Sequence, residues 1–158
     1  MIMSVVILIV GSALALFYLQ TACQKILARK FSEEYFQSIV NANRLEFPFV
    51  RKALEEFDTP VDYPWIRMTV KCDYLALTYL LKNAANAKQR YSRNEILLMA
   101  YFRSVLFTLS LLHLFGLREQ PAILKLTAIL QHFADVVGER VSSVRFGDLS
   151  ASEYLLSL

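Results

Sequence analysis

An all-α chain, a single N-terminal transmembrane helix followed by a small helical bundle, is what three observations predict. The first is an uncharged apolar run at the start, Ile2 to Leu19, reading IMSVVILIVGSALALFYL. The second is the helical rather than alternating spacing of apolar residues through most of the remaining chain. The third is a composition of 56% hydrophobic and 20% charged residues with four Gly and four Pro, which excludes disordered, collagen-like and low-complexity classes. At 158 residues the chain has room for one domain and an anchor. Two Cys exclude a disulfide-rich scaffold, and a net charge of +3, evenly spread, leaves no footprint for nucleic acid.

The anchor is expected over residues 2–20. Its apolar run extends roughly 27 Å as a helix, close to the hydrocarbon thickness of a bilayer. A secretory signal peptide would open with basic residues before the apolar run, and only Met1 stands there. Lys25, Arg29 and Lys30 come after the run, so the positive-inside pattern puts the C-terminal domain, residues 24–158, in the cytoplasm. The same three bases sit where anionic headgroups would meet them. Ser4, Gly11 and Ala15 fall on one helical face, where small side chains let a second membrane helix approach closely.

Beyond the anchor the mean hydropathy falls from +0.38 for the whole chain to roughly +0.1, still apolar for a water-facing domain. Residues 31–44 carry Phe31, Tyr35, Ile39 and Ala42 on one stripe, so an amphipathic helix is expected there, continuing from the anchor as a rod. Pro48 suits the first turn of a next helix ending near Phe57, and the prolines at 60 and 64 mark a stiff connector. A third helix is expected over residues 65–83, with Trp65, Met68, Cys72, Leu75, Ala76, Tyr79 and Leu80 at helical spacing opposite a basic stripe of Arg67, Lys71, Thr78 and Lys82.

Ser92 and Glu95 have capping-box spacing and predict a helix start near Arg93. The helix from Ile96 to Phe115 is apolar nearly all round, which predicts either the central helix of the bundle or a second membrane segment over 96–115. Arg103 inside it favours the bundle, because a charge near the centre of a span costs about 2.5–3.5 kcal/mol on insertion scales. Gly116 ends that helix. Pro121 opens another, with Ile123, Leu126, Leu130, Phe133 and Val137 on one face, and Gly138 is expected to close it. Residues 141–149 then read as a strand or extended segment, and Ser150 with Glu153 as the cap of a short last helix.

No catalytic constellation emerges. His132 and Asp135 are spaced for a shared face and His113 lies one helix away, but no spacing completes a metal set. The expected roles are a hydrogen-bonded His113 and a solvent-facing His132, with no cofactor. Phe47, Phe49, Tyr63 and Trp65 stand beside proline turns, which makes them the candidate docking surface for a partner. The expectation is a non-catalytic, membrane-anchored accessory or scaffold subunit, whose partners are the membrane and other membrane-protein subunits or a second copy. The layout resembles small accessory subunits of membrane complexes, a likeness of architecture alone. The alternatives are a membrane-bound regulator with a protein-binding domain, or a two-span haem- or pigment-binding protein using His113.

Overall fold

The computed structural model describes residues 1–31, 35–56, 62–83 and 90–156, with side chains as far as residue 143. These residues form six helices and no strand: α1 (Ile2–Leu27), α2 (Phe36–Asn43), α3 (Phe47–Glu56), α4 (Tyr63–Asn83), α5 (Arg93–Leu114) and α6 (Gln120–Leu156). The expected connector at 58–60 and most of the polar stretch 83–90 lie outside the described residues.

The helix at the centre is α6, not α5. It packs against α1, α2, α3, α4 and α5. Ile123, Leu126, Ile129, Leu130, Phe133 and Val137 are buried, and so are Thr127, Ala134 and Val136 on its other sides. A helix covered on most sides must be apolar or internally satisfied over most of its circumference, and on α6 the side carrying Lys125 alone is left to solvent. The α5 helix spends only one face on the bundle, through Leu98, Phe102, Val105 and Leu109. Ile96, Phe107, Leu111 and Leu114 on its other side are exposed.

Paired residues set the relative directions. The Tyr74 ring lies 6.3 Å from Phe133, and Arg140 donates to the Leu81 carbonyl, so α4 and α6 run the same way. Arg51 reaches Gln131 while Gln120 reaches the Leu54 carbonyl, so α3 runs opposite to α6. Gly116, at φ +63°, makes the tight turn that returns α5 into α6 as an antiparallel pair. Cys23 is buried and donates to the Leu97 carbonyl, while Leu16 and Gln20 share a cleft with Ser104, Thr108 and Leu112. The second half of α1 therefore lies antiparallel to α5.

Two short helices are fastened by carboxylates from the long ones. Asp73 on α4 accepts from the backbone N–H groups of Glu46 (2.9 Å) and Phe47 (2.7 Å), satisfying the orphan donors at the start of α3. Asp135 on α6 accepts from the N–H of Phe36 at 2.9 Å, at the start of α2. Both carboxylates are buried, where a carboxylate at a helix N-terminus also meets the favourable end of the helix dipole. Burial pushes the Asp73 carboxyl above its ordinary value, and the two backbone hydrogen bonds oppose that shift. Ser92 and Glu95 form the expected reciprocal box at the start of α5. Glu95 also pairs with Arg140, tying the α5 start to α6 and, through Leu81, to the end of α4.

Three sequence-based expectations fail here. The helix at 31–44 does not continue the anchor, because α1 stops at Leu27 and α2 starts only at Phe36. Residues 141–149 are helical, and α6 continues through the expected cap at Ser150 without a break. Gly138 does not close a helix. It sits buried inside α6, where an added Cβ would collide with the Cβ of Tyr35. The glycine serves the close approach of the chain leading into α2, next to the Asp135 contact. A mid-helix Gly→Ala change ordinarily stabilises by about 1 kcal/mol through propensity. Gly138→Ala is expected to do the reverse and lower the thermal midpoint, because the Tyr35 backbone must shift. A raised midpoint in a thermal melt contradicts that packing.

Candidate docking and membrane surfaces

The α1 helix divides into two parts. From Leu19 to Leu27 it lies partly against α5 and α6, with Cys23 fully buried. From residue 1 to 18 every side chain is exposed. Its most apolar window has a mean hydropathy of 2.6 with none of its residues buried. An exposed surface of this kind is unfavourable in water at about 25 cal/mol per Å² of apolar area. Among the described residues α5 is the second helix long and apolar enough to cross a membrane, with 28% of its window buried.

Ser4, Gly11 and Ala15 all lie on the free part, and a Cβ added at Gly11 would meet nothing within 4 Å. The bundle itself leaves that face uncovered. Lys25 and Lys30 are exposed, whereas Arg29 is drawn back onto the bundle. Its guanidinium bonds both oxygens of Glu139 at 3.0 and 3.1 Å and lies 4.9 Å above the Phe31 ring. Arg29 is thus partly committed to an internal ion pair, which no local sequence signal announces.

The aromatic candidates separate. Phe47 is 2% exposed and belongs to the core beneath the Asp73 cap, so it is removed from the docking set. Phe49 is well exposed on α3. Tyr63 is half-buried, stacked on His113 at 3.7 Å and 3° between ring planes, with its hydroxyl 3.2 Å from Ser110 Oγ. Trp65 is exposed, and it opens an exposed ridge along α4.

The regularly spaced apolar stripe of α4 is not its inner face. Ile66, Thr69, Val70, Asp73, Tyr74, Leu77 and Leu81 are buried. Trp65, Met68, Leu75 and Tyr79 are 46%, 69%, 62% and 68% exposed, and Cys72 is exposed between them. Positions 65, 68, 72, 75 and 79 alternate by three and four residues, the spacing of a coiled-coil seam. Arg67 and Lys71 border the ridge on one side in a groove of about 610 Å³ with Tyr63 and Pro64. Arg44 and Glu46 border the other. Thr69 and Asp73 make the true inner face look polar in sequence, but Asp73 is there to cap α3.

Of the two histidines, His113 is hydrogen-bonded as expected, its Nδ1 lying 2.7 Å from Glu119. His132, expected to face water, is buried, with the Phe31 ring 5.3 Å away at 62°. Among the described residues no group of three or more His, Cys, Asp and Glu is placed to hold a metal ion. No family model, curated protein or solved structure matches this chain.

Burial first, and Arg29 second, hold the His132 imidazole down to a pKa of about 4. An ordinary unfolded histidine titrates near 6.5, so below that pH the unfolded chain binds a proton that the folded chain refuses. The stability contributed by neutral His132 is therefore complete above pH 6.5 and is lost as pH falls toward 4. The expected slope across that window is about 1.4 kcal/mol per pH unit. Thermal melts between pH 7 and 5 are expected to show the decline in the wild type and a flatter profile in His132→Gln. Equal slopes in the two proteins contradict the assignment.

Proposed function

We propose that the chain is a non-catalytic, membrane-anchored accessory subunit. In this reading α1 crosses the bilayer once and the helical bundle, on the cytoplasmic side, presents the α4 ridge to a neighbouring subunit. The observation that carries the proposal is the ridge of Trp65, Met68, Cys72, Leu75 and Tyr79, exposed although its helix already buries a full second face. Exposed contiguous apolar residues rimmed by charge are characteristic of interaction sites. The free apolar half of α1 supports the anchor, and Lys25 and Lys30 beyond it support the orientation.

The occupant that fits the ridge is an amphipathic helix with an acidic border. Arg67 and Lys71 flank the seam and Lys82 extends its line, all exposed. Two copies of this chain facing each other through α4 would oppose these charges, which disfavours self-pairing on this face. A second copy or another subunit has a separate route through Ser4, Gly11 and Ala15 in the membrane. Confinement of both partners to one bilayer raises their effective concentration, so a modest ridge suffices for stable assembly.

Gentle detergent extraction from native membranes, followed by native separation and mass spectrometry, tests the reading. The expected result is migration of the chain in a larger assembly at fixed stoichiometry. Leu75→Glu, at an exposed position that leaves the core untouched, is expected to cut the assembled fraction about tenfold or more. A wild-type chain that runs alone overturns the accessory-subunit reading in favour of a membrane-bound regulator. Unchanged assembly of Leu75→Glu removes the ridge as the docking face.

A further inference from the structure

The end of the bundle from which α1 emerges has an unusual composition. Leu16 and Gln20 line a cleft of about 280 Å³ together with Thr108 and Leu112 from the end of α5, and Pro121, Ala122 and Lys125 from the start of α6. Because α1 runs antiparallel to α5, with Cys23 against Leu97, its residues before Leu16 run on toward the end of α5. The free segment from there to Met1 extends about 22 Å. The turn joining α5 to α6 stands beside this exit, and its Leu114, Phe115 and Leu117 are 76%, 69% and 57% exposed. Gly116, in the left-handed conformation, sets the turn, and Leu117 N–H closes onto the Leu112 carbonyl at 2.9 Å.

The rest of this end is aromatic and amphipathic. The α4 start reaches it through the Tyr63 contacts to Ser110 and His113, placing Trp65 near the same level. Phe17 and Tyr18 are exposed where α1 leaves the bundle. Arg118 and the His113–Glu119 pair stand immediately behind the apolar turn. The opposite end is polar: Lys82, Asn83, Arg90 and Arg93 are exposed there, around the buried Glu95–Arg140 pair. The two ends of the bundle thus differ in character.

The pairing with α1 sets the depth. Leu16 lies within the uncharged run that ends at Leu19, and Leu112 shares its cleft. A bilayer that covers the run therefore reaches the level of Leu112, and residues 114–117 lie at that level or beyond it. We infer that the α5–α6 turn inserts into the bilayer interface, with Leu114, Phe115 and Leu117 as its apolar wedge, so that the bundle stands end-on to the membrane beside its own anchor. This inference rests on α1 crossing the bilayer. Buried apolar area drives the insertion, as it does for monotopic segments that sit about 5–10 Å into the headgroup and acyl boundary. The neighbouring aromatic residues match the belt that membrane proteins form near the interface. The device gives the bundle a fixed tilt, and with it a fixed height for the α4 ridge above the membrane.

Depth-dependent fluorescence quenching tests the inference on the full chain. Trp65 is the only tryptophan, so Trp65→Phe provides a background into which Phe17→Trp, Phe115→Trp, Leu117→Trp or Tyr79→Trp is introduced singly. All these positions are exposed in the fold, and Tyr79 lies about 24 Å along α4 from Tyr63. The proteins are reconstituted into phosphatidylcholine–phosphatidylglycerol vesicles whose acyl chains are brominated at defined depths. The expected result is a blue-shifted emission quenched by shallow bromines at 115 and 117, quenching at 17, and none at 79. Quenching at 17 with none at 115 and 117 overturns the insertion and leaves the anchor standing. No quenching at 17 overturns the spanning reading and the insertion with it. Quenching at 79 overturns the end-on orientation.

Discussion

Burial of most of one helix's circumference is the constraint on which this structure depends. From Ala122 to Val137, α6 has buried groups on every side but the one that carries Lys125, and one neighbour cannot cover them. Five other helices contribute to that cover. Two of them, α2 and α3, are too short to be stable alone, since isolated helices under about 12–15 residues are marginal in water. Asp73 and Asp135 lend each of them the N-terminal acceptor that its own sequence lacks. The carboxylates thus convert two marginal segments into walls of the core.

The same constraint accounts for what remains exposed. Both α4 and α5 give one face to the bundle, yet each carries apolar residues on a second face that none of the described residues covers. On α4 the surplus forms a continuous ridge with heptad-like spacing and a basic border. On α5 it runs toward the turn beside the exit of α1. A water-soluble monomer would leave both at a cost in free energy proportional to their apolar area. A bundle tethered at a membrane surface has two media to cover them, lipid at one end and a partner helix along the side.

Local signals in the sequence are readable wherever a single residue determines backbone chemistry. Ser92 and Glu95 mark the start of α5, Gly116 its end, and Pro48 the first turn of α3, because caps and turns depend on a few neighbouring atoms. Sequence periodicity fails where a helix has two apolar faces. On α4 the exposed ridge has cleaner spacing than the inner face, which Thr69 and Asp73 interrupt, Asp73 for a hydrogen-bonding reason that only the fold reveals. Gly138 carries the signal of a helix end but serves a close contact with Tyr35, a relation across about a hundred residues of chain that no local window contains. Of the aromatic candidates, Trp65 and Phe49 are exposed and Phe47 is buried. Proximity to a proline does not distinguish them, since exposure is set by the tertiary neighbours.

Whether α1 is held by lipid decides how the rest of the molecule is used. Alkaline extraction of native membranes is the most direct measurement, because it strips proteins attached through charge or through other proteins and leaves spanning helices in place. A lipid-held α1 keeps the whole chain in the membrane pellet after the alkaline wash, and that is the expected result. Release of the chain into the supernatant would contradict it, and would require the exposed half of α1 to be covered by protein instead of by a bilayer.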